Sequence, residues 1–345
     1  MNDTAELRSY SVDALQSIVT SIFLKAGLSS AQAAAVARTI TAGERDNCKS
    51  HGIYRIEGNL RTLKAGKVNG EAEPQLVDDG TAVLRVDAAC GFSPLAFEIG
   101  APALVARTRR LGLAALVIND CTHFSALWPE IEVLTDQGLA ALALCPSYAS
   151  VAPTGGTRAL LGTNPFAFGW PRPGQDPYVF DFATSAAARG EIELHRRAGK
   201  LLPEGWAINS HGVPTTDPEA ALEGSLLPFG SHKGSAISTM IELLGAAMIG
   251  DLTSLEAREA LGSMSLLPRH GELLIAFDPL RFSAGRSNPF ARAETLFEAI
   301  LDQGARLPSQ RRYAARKAAL KDGIALTNQE RVMLNHLASA ESETA

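Results

Sequence analysis

Apolar residues recur at Leu15, Ile18, Val19, Ile22 and Phe23, the spacing of a helix with one buried face. Ser11 stands at the N-cap of that helix and Gly27 at its stop. Ser29-Ser30-Ala31-Gln32 reads as a capping box opening a second helix through Val36 and Ile40. Ile53, Ile56, Leu60 and Leu63 predict a third, closed near Gly66. The start of the chain therefore reads as a helical unit.

Beyond Gly70 the period shortens. AVLRVDA (82–88) predicts a strand, 93–110 a helix and LAALVIND a further strand. SALWPEIEVLTDQG predicts a helix entered at Pro129, and LAALALC the strand after it. The Gly-, Pro- and Thr-rich stretch 152–177 keeps large apolar residues, so it reads as loops and short strands, not as a linker. YVFDFATS and WAINSHGVPTT add strands and turns. SAISTMIELLGAAMIGD (235–251) predicts an apolar helix buried on several sides, and ELLIAFDP (272–279) a late strand. From Pro289 the pattern is helical again, and the last eight residues read as frayed. The alternation is that of an α/β protein. It divides into a helical unit at 1–70, packing with C-terminal helices at 290–345, and an α/β region at 71–289.

A net charge of −5 over 345 residues argues against nucleic-acid or membrane-surface partners. The small basic clusters ARTRRLG (106–112) and RRYAARK (311–317) read as exposed helix faces. Four isolated cysteines without CxxC spacing predict neither a disulfide framework nor a metal site. The first ten residues lack the pattern of a signal peptide, and no apolar run is long enough to span a bilayer, so the cytoplasm is the expected location.

The chain lacks GxGxxG, a P-loop, HExxH and GxSxG, so a dinucleotide would need another phosphate cradle. PFGSHKGSA (228–236) puts His232 and Lys233 at the start of a helix, and SAGRSNPF (283–290) puts Arg286 ahead of the next one. Both suit a phosphate, and both also fit plain helix capping. Ser50-His51 offers a group that titrates near neutral pH, and Arg55 would share a helix face with His51. That pair suits a small carboxylated substrate; a polar surface cluster is the alternative. DFATSAAARGEIE (181–193) and GTNP (162–165) are weak signals taken singly.

Taken in order, SHGIYR, NDCTHFSALWPEIE, GTNPFAF, DFATSAAARGE, WAINSHGVPTTDPEAAL, PFGSHKG and GRSN resemble the malate/L-lactate dehydrogenase-like NAD(P)-dependent oxidoreductases, a family unrelated to the Rossmann dehydrogenases. HFSALWPEIE resembles the branch that reduces Δ1-piperideine-2-carboxylate and Δ1-pyrroline-2-carboxylate. Ser125 stands where the oxo-acid branch typically carries a glycine.

The resemblance implies a non-Rossmann α/β fold with a largely antiparallel sheet, and a homodimer. It implies His51 as proton donor, with Ser50 and Glu191 as relay partners. Arg55, Thr163, Arg189 and Gly190 would hold the substrate. His123, Phe124, Ser125, Ala126, Leu127, Asp181, Phe182, Ala183, His232, Lys233, Gly285, Arg286, Ser287 and Asn288 would contact NADPH, with NADH as the other possible cofactor. The expected reaction is hydride transfer to a cyclic imino acid. The alternatives are a malate-, lactate- or ureidoglycolate-type dehydrogenase and a non-catalytic NADPH-binding protein.

Overall fold

The computed structural model describes residues 8–339. The reading of the first ten residues as free of a signal segment, and of the last eight as frayed, falls mainly outside that range. Ala338 and Ser339 still belong to the last helix.

In chain order the N-terminal third contains β1 (Arg8–Tyr10), α1 (Val12–Lys25), α2 (Ser30–Arg45), α3 (Arg55–Lys64), β2 (Gln75–Val77), β3 (Val83–Asp87), α4 (Ser93–Leu111) and β4 (Leu113–Thr122). Next come α5 (Trp128–Asp136), β5 (Ala140–Leu144), β6 (Phe166–Trp170), β7 (Tyr178–Phe182), α6 (Arg189–Arg197), β8 (Ala207–Ile208), β9 (Pro214–Thr215), α7 (Pro218–Glu223) and β10 (Ser225–Leu226). The remainder is α8 (His232–Glu242), α9 (Ser254–Leu261), β11 (Arg269–Phe277), α10 (Pro279–Ser283), α11 (Pro289–Leu301), α12 (Gln310–Asp322), β12 (Ile324–Leu326) and α13 (Asn328–Ser339).

The main sheet runs β2-β3-β4-β11-β5-β6-β7. Only β3 and β4 are parallel, joined by α4 as a crossover; the other neighbours are antiparallel. The sheet is thus largely antiparallel, as expected. β11 inserts between β4 and β5, and its register slips between His270 and Glu272. One face buries Leu116, Ile118, Leu274 and Ala276 against Leu104 and Ile131.

Ser11 and Ser29 cap α1 and α2, each accepting a backbone N–H from three residues on. A second core joins Leu15, Val19, Ile40 and Ile56 to Ile324, Leu326 and Leu334 from the far end of the chain. β1 pairs with β12 beside it. α11 lies elsewhere, with Phe297 stacked on Tyr178 and Glu294 bonded to Arg172 of the β6–β7 hairpin.

Three expectations change. α8 ends in a π turn at Leu243–Ala247, and the segment is not buried on several sides. Ile241 and Ile249 face Val117, Leu144 and Leu273, whereas Leu243 and Met248 are about 60% exposed (58% and 61%). The cluster 311–317 is a solvated face only in part: Arg311 and Lys317 are exposed, but Arg312 is buried and Arg316 half-buried. In the cluster 106–112, Arg107 is buried and bonds Asp78 at 2.6 Å. Arg107, Arg312 and Arg316 are each held by an acid distant in sequence.

Candidate active site

His51 does not lie on a helix with Arg55. It ends a 3₁₀ turn, Lys49–His51, and Arg55 opens α3 after a short bend. Two glycines permit that turn. A Cβ on Gly43 would meet the His51 carbonyl oxygen at 2.5 Å, and one on Gly52 would meet Glu44 Oε1 at 2.0 Å. Glu44 holds the turn by accepting from Lys49 Nζ at 2.5 Å and from the Ile53 N–H at 2.9 Å. Ser50 Oγ lies 3.0 Å from His51 Nδ1, and Arg55 Nε donates to the Ser50 carbonyl at 2.7 Å. Trp128 meets the His51 ring edge-on, centroids 6.1 Å apart. Burial, then the Arg55 charge, pull His51 down to about 3, so the free imidazole is neutral at pH 7.

These residues line a cavity of about 1380 Å³. Pockets for drug-sized ligands measure roughly 300–1,000 Å³, so the space admits a small acid and part of a larger cofactor together. Its walls bring together Ser50, His51, Arg55, His123, Phe124, Ser125, Ala126, Thr163, Asp181, Phe182, Ala183, Arg189 and Gly190. The Thr163 carbonyl accepts from the Thr184 N–H at 2.8 Å, and Arg189 donates to the Leu222 carbonyl at 3.3 Å.

Asp181 accepts from the N–H groups of Leu127 and Trp128 at 2.8 and 3.0 Å, capping α5 from β7. Burial lifts its carboxyl to about 6, against those two bonds. Leu127 itself is core, fully buried and not on the cavity wall.

Seven further expected contacts lie apart from the cavity. Glu191 is exposed in the first turn of α6 and is not among the lining residues, so it does not orient His51 in this arrangement. His232 and Lys233 are exposed at the start of α8. Gly285, Arg286 and Asn288 are exposed ahead of α11, with Ser287 half-buried beside them; Asn288 caps that helix through bonds to the N–H groups of Phe290 and Ala291. Cys48 lines the cavity, but burial pushes its thiol up to about 11, which leaves it a poor nucleophile.

A fit for a nicotinamide cofactor can be tested on the polar atoms facing this space. Ser125 Oγ is buried and has no hydrogen-bond partner, so it is available to an amide, hydroxyl or phosphate of a ligand. Small Ala126 and Ala183 let a flat ring approach the backbone. The donor set fits.

Sequence reading missed three buried polar groups here. His270 lines the cavity, its ring 5.7 Å from that of His123. Glu130 on α5 and Glu272 on β11 lie behind His123, whose Nε2 is 3.8 Å from Glu272 Oε2. The signal for Glu272 was legible: a carboxylate in the apolar run GELLIAF.

A family model described as malate/L-lactate dehydrogenase matches residues 10–335. The chain belongs to that family. It is 65% identical over 339 residues to the Δ1-pyrroline-2-carboxylate reductase of Agrobacterium fabrum, covering 98% of this chain and 97% of the relative. It is 54% identical to the Δ1-pyrroline-2-carboxylate/Δ1-piperideine-2-carboxylate reductase of Pseudomonas aeruginosa, covering 91% and 95%. The crystal structure of Δ1-piperideine-2-carboxylate reductase from Pseudomonas syringae superposes with a TM-score of 0.91 at 40% identity, covering 96% and 99%. Family membership accounts for the absent Rossmann fingerprint, since the sheet is not the doubly wound parallel one.

Proposed function

We propose that this chain is an NADPH-dependent reductase of cyclic imino acids. It converts Δ1-pyrroline-2-carboxylate to L-proline and Δ1-piperideine-2-carboxylate to L-pipecolate. The observation that carries the reading is the pairing of Arg55 with a neutral His51 in one cavity large enough for acid and cofactor. The activities named for the relatives support it.

Arg55, with Thr163, binds the carboxylate and so fixes the ring. Arg189 and Gly190, which line the same cavity, complete the substrate contacts. A nicotinamide held beside Ser125, Ala126 and Ala183 would supply the hydride that the C=N carbon takes up. His51 handles the proton at the ring nitrogen. Ser50 occupies its Nδ1, which leaves the other ring nitrogen for the substrate. A neutral imidazole accepts a hydrogen bond from a protonated imine and keeps that nitrogen charged, which makes the carbon a better hydride acceptor. The substrate carboxylate also offsets the Arg55 charge, the second cause of the low His51 pKa.

Ser125, Ala126, Asp181, Phe182 and Ala183 are the cavity's cofactor contacts in this reading, and His232, Lys233 and the 285–288 turn are reserved for the phosphates. NADPH, a homodimer and a cytoplasmic location are part of the proposal. The exposed apolar residues Met240, Leu243 and Met248 support a self-association surface. Among the described residues no helix is long and apolar enough to cross a membrane.

NADPH oxidation by the purified protein, measured in parallel on both imines, pyruvate and oxaloacetate, tests the reading. Turnover on the imines with little on the oxo-acids is expected. The reverse pattern would move the chain to the hydroxy-acid dehydrogenases of its family. In the same assay His51→Ala should lose about 10²–10⁴-fold in kcat/KM. A loss under about tenfold would remove His51 from proton handling.

A further inference from the structure

The imine-reductase reading leaves one proton without a source. Hydride added to a protonated C=N carbon yields a neutral secondary amine, yet an amino acid leaves in its ammonium form. His51 is neutral and has no proton to spare.

Glu130 and Glu272 lie just behind the cavity wall. Glu272 is fully buried, with neither carboxyl oxygen partnered, and Glu130 Oε2 is buried and unpartnered beside it. The two carboxyls are within hydrogen-bond reach of one another. Two carboxylates this close and this dry cannot both be charged, and a hydrogen bond between them requires a proton. Burial raises both, Glu272 to about 7 and Glu130 well above the usual carboxylate range.

The groups around the pair are Asp181 from β7, Cys121 from β4, Cys145 after β5, and His123 and His270. None is a lysine or arginine. His123 is buried and held neutral by burial, with His270, His51 and Arg55 adding to the effect. Its Nε2 faces Glu272 at 3.8 Å and the residue lines the cavity, so His123 stands between the pair and the cavity. A bound cation would be the other way to neutralise two buried acids. Ions of the zinc type hold their ligands at about 2 Å, which puts donors roughly 3.3 Å apart. The 3.8 Å between His123 and Glu272 is wider than that, and sharing a proton needs no such closure.

We propose that Glu130 and Glu272 form a proton store for the reaction, feeding the newly formed amine through the neutral imidazole of His123. This rests on the imine-reductase reading. A carboxyl O–H bond breaks and an amine N–H bond forms. The positive charge leaves with the product, and solvent then reprotonates the pair. No reductant beyond the hydride donor takes part.

Infrared spectroscopy of the whole protein without substrate provides the first test. A carboxylic-acid C=O band should be present at neutral pH, lose intensity as pH rises through about 7, and no longer change over that range in Glu272→Gln. Because the proton is held below that pH and lost above it, wild-type kcat should fall over the same range. Glu272→Gln and Glu130→Gln should abolish that inflection and slow turnover by less than the ~10²-fold of losing a direct acid. A missing band, a tightly held divalent cation in the purified protein, or an inflection that survives both variants would overturn the store. Should neither variant fold, titration of the wild-type band decides. Imine turnover without the band sinks the store alone; the band without imine turnover sinks the reductase reading.

Discussion

Asp46 and Glu272 are both carboxylates shut from water beside one cavity, but their surroundings differ. Asp46 sits among arginines. Arg316 Nε donates to it at 2.9 Å, Arg45 Nε at 2.7 Å and the Trp128 indole N–H at 3.2 Å. Arg312 lies over the Trp128 ring at 5.0 Å and bonds Glu132, which Arg316 also reaches at 2.7 Å. Burial pushes the Asp46 carboxyl up, the arginine bonds pull it down, and the net shift is downward. Glu272 has no cation near it, and burial, with the Asp181 charge adding to it, sends it up. Burial by itself does not fix a carboxyl's charge; the availability of a guanidinium does. The same wall thus has a charged brace behind Trp128 and a proton-holding pair behind His123.

The comparison breaks most visibly at Asp46. Asp46→Ala strands the arginines and should cost about 3–5 kcal/mol in a urea melt. A loss under ~1 kcal/mol would mean that Glu132 alone satisfies them. Glu272→Gln should be neutral or stabilising at pH 8, because it removes a group that must ionise in the core.

The pH dependence sharpens the contrast, and the signs are opposite. The folded pKa of Glu272 is raised, so its contribution is present at low pH and lost as pH rises through about 7, by up to about 3 kcal/mol. The folded pKa of Asp46 is lowered, so its contribution is present above the unfolded value and lost as pH falls through the folded one. Melting temperatures of wild type and Glu272→Gln should therefore converge in mild acid and separate above neutrality. Parallel curves would show that Glu272 does not titrate.

The smallest effect calibrates the others. Arg38 and Glu98 pair at 2.6 Å on the surface, side chains 45% and 38% exposed. Arg38→Ala should cost only about 0.2–1 kcal/mol, fading in salt. A larger loss would mean that the exposed pair shares in the stability assigned to the brace.

What could be read from the sequence was local. The Ser11 and Ser29 caps depend on neighbours three residues away, and both appear where expected, but the Ser29 box does not close, because the Gln32 side chain accepts from the Phe92 N–H instead. The crowded stretch around His51 was legible because its chemistry is contiguous, although a 3₁₀ turn replaced the expected helix face. Thr163 and Asp181 entered through the family resemblance, and the fold brings them to the same cavity. Arg312 and Arg316 read as solvated because their acids lie 180 and 270 residues away. Glu130 and Glu272 meet only because β11 inserts between β4 and β5, which no spacing announces. The apolar run after His232 suggested burial all round, whereas one side of it stays open within the single chain.

The core that joins Leu15 and Val19 to Ile324, Leu326 and Leu334 has a consequence for biosynthesis. On the ribosome α1 and α2 lack part of their packing until β12 and α13 emerge, some 300 residues later. At about 5–20 residues per second that delay is roughly 15–60 s. During that time α1 and α2 expose the apolar side that the C-terminal segment will cover. The turn carrying His51 follows α2 closely, so the nascent chain presents this corner of the cavity early and secures it late.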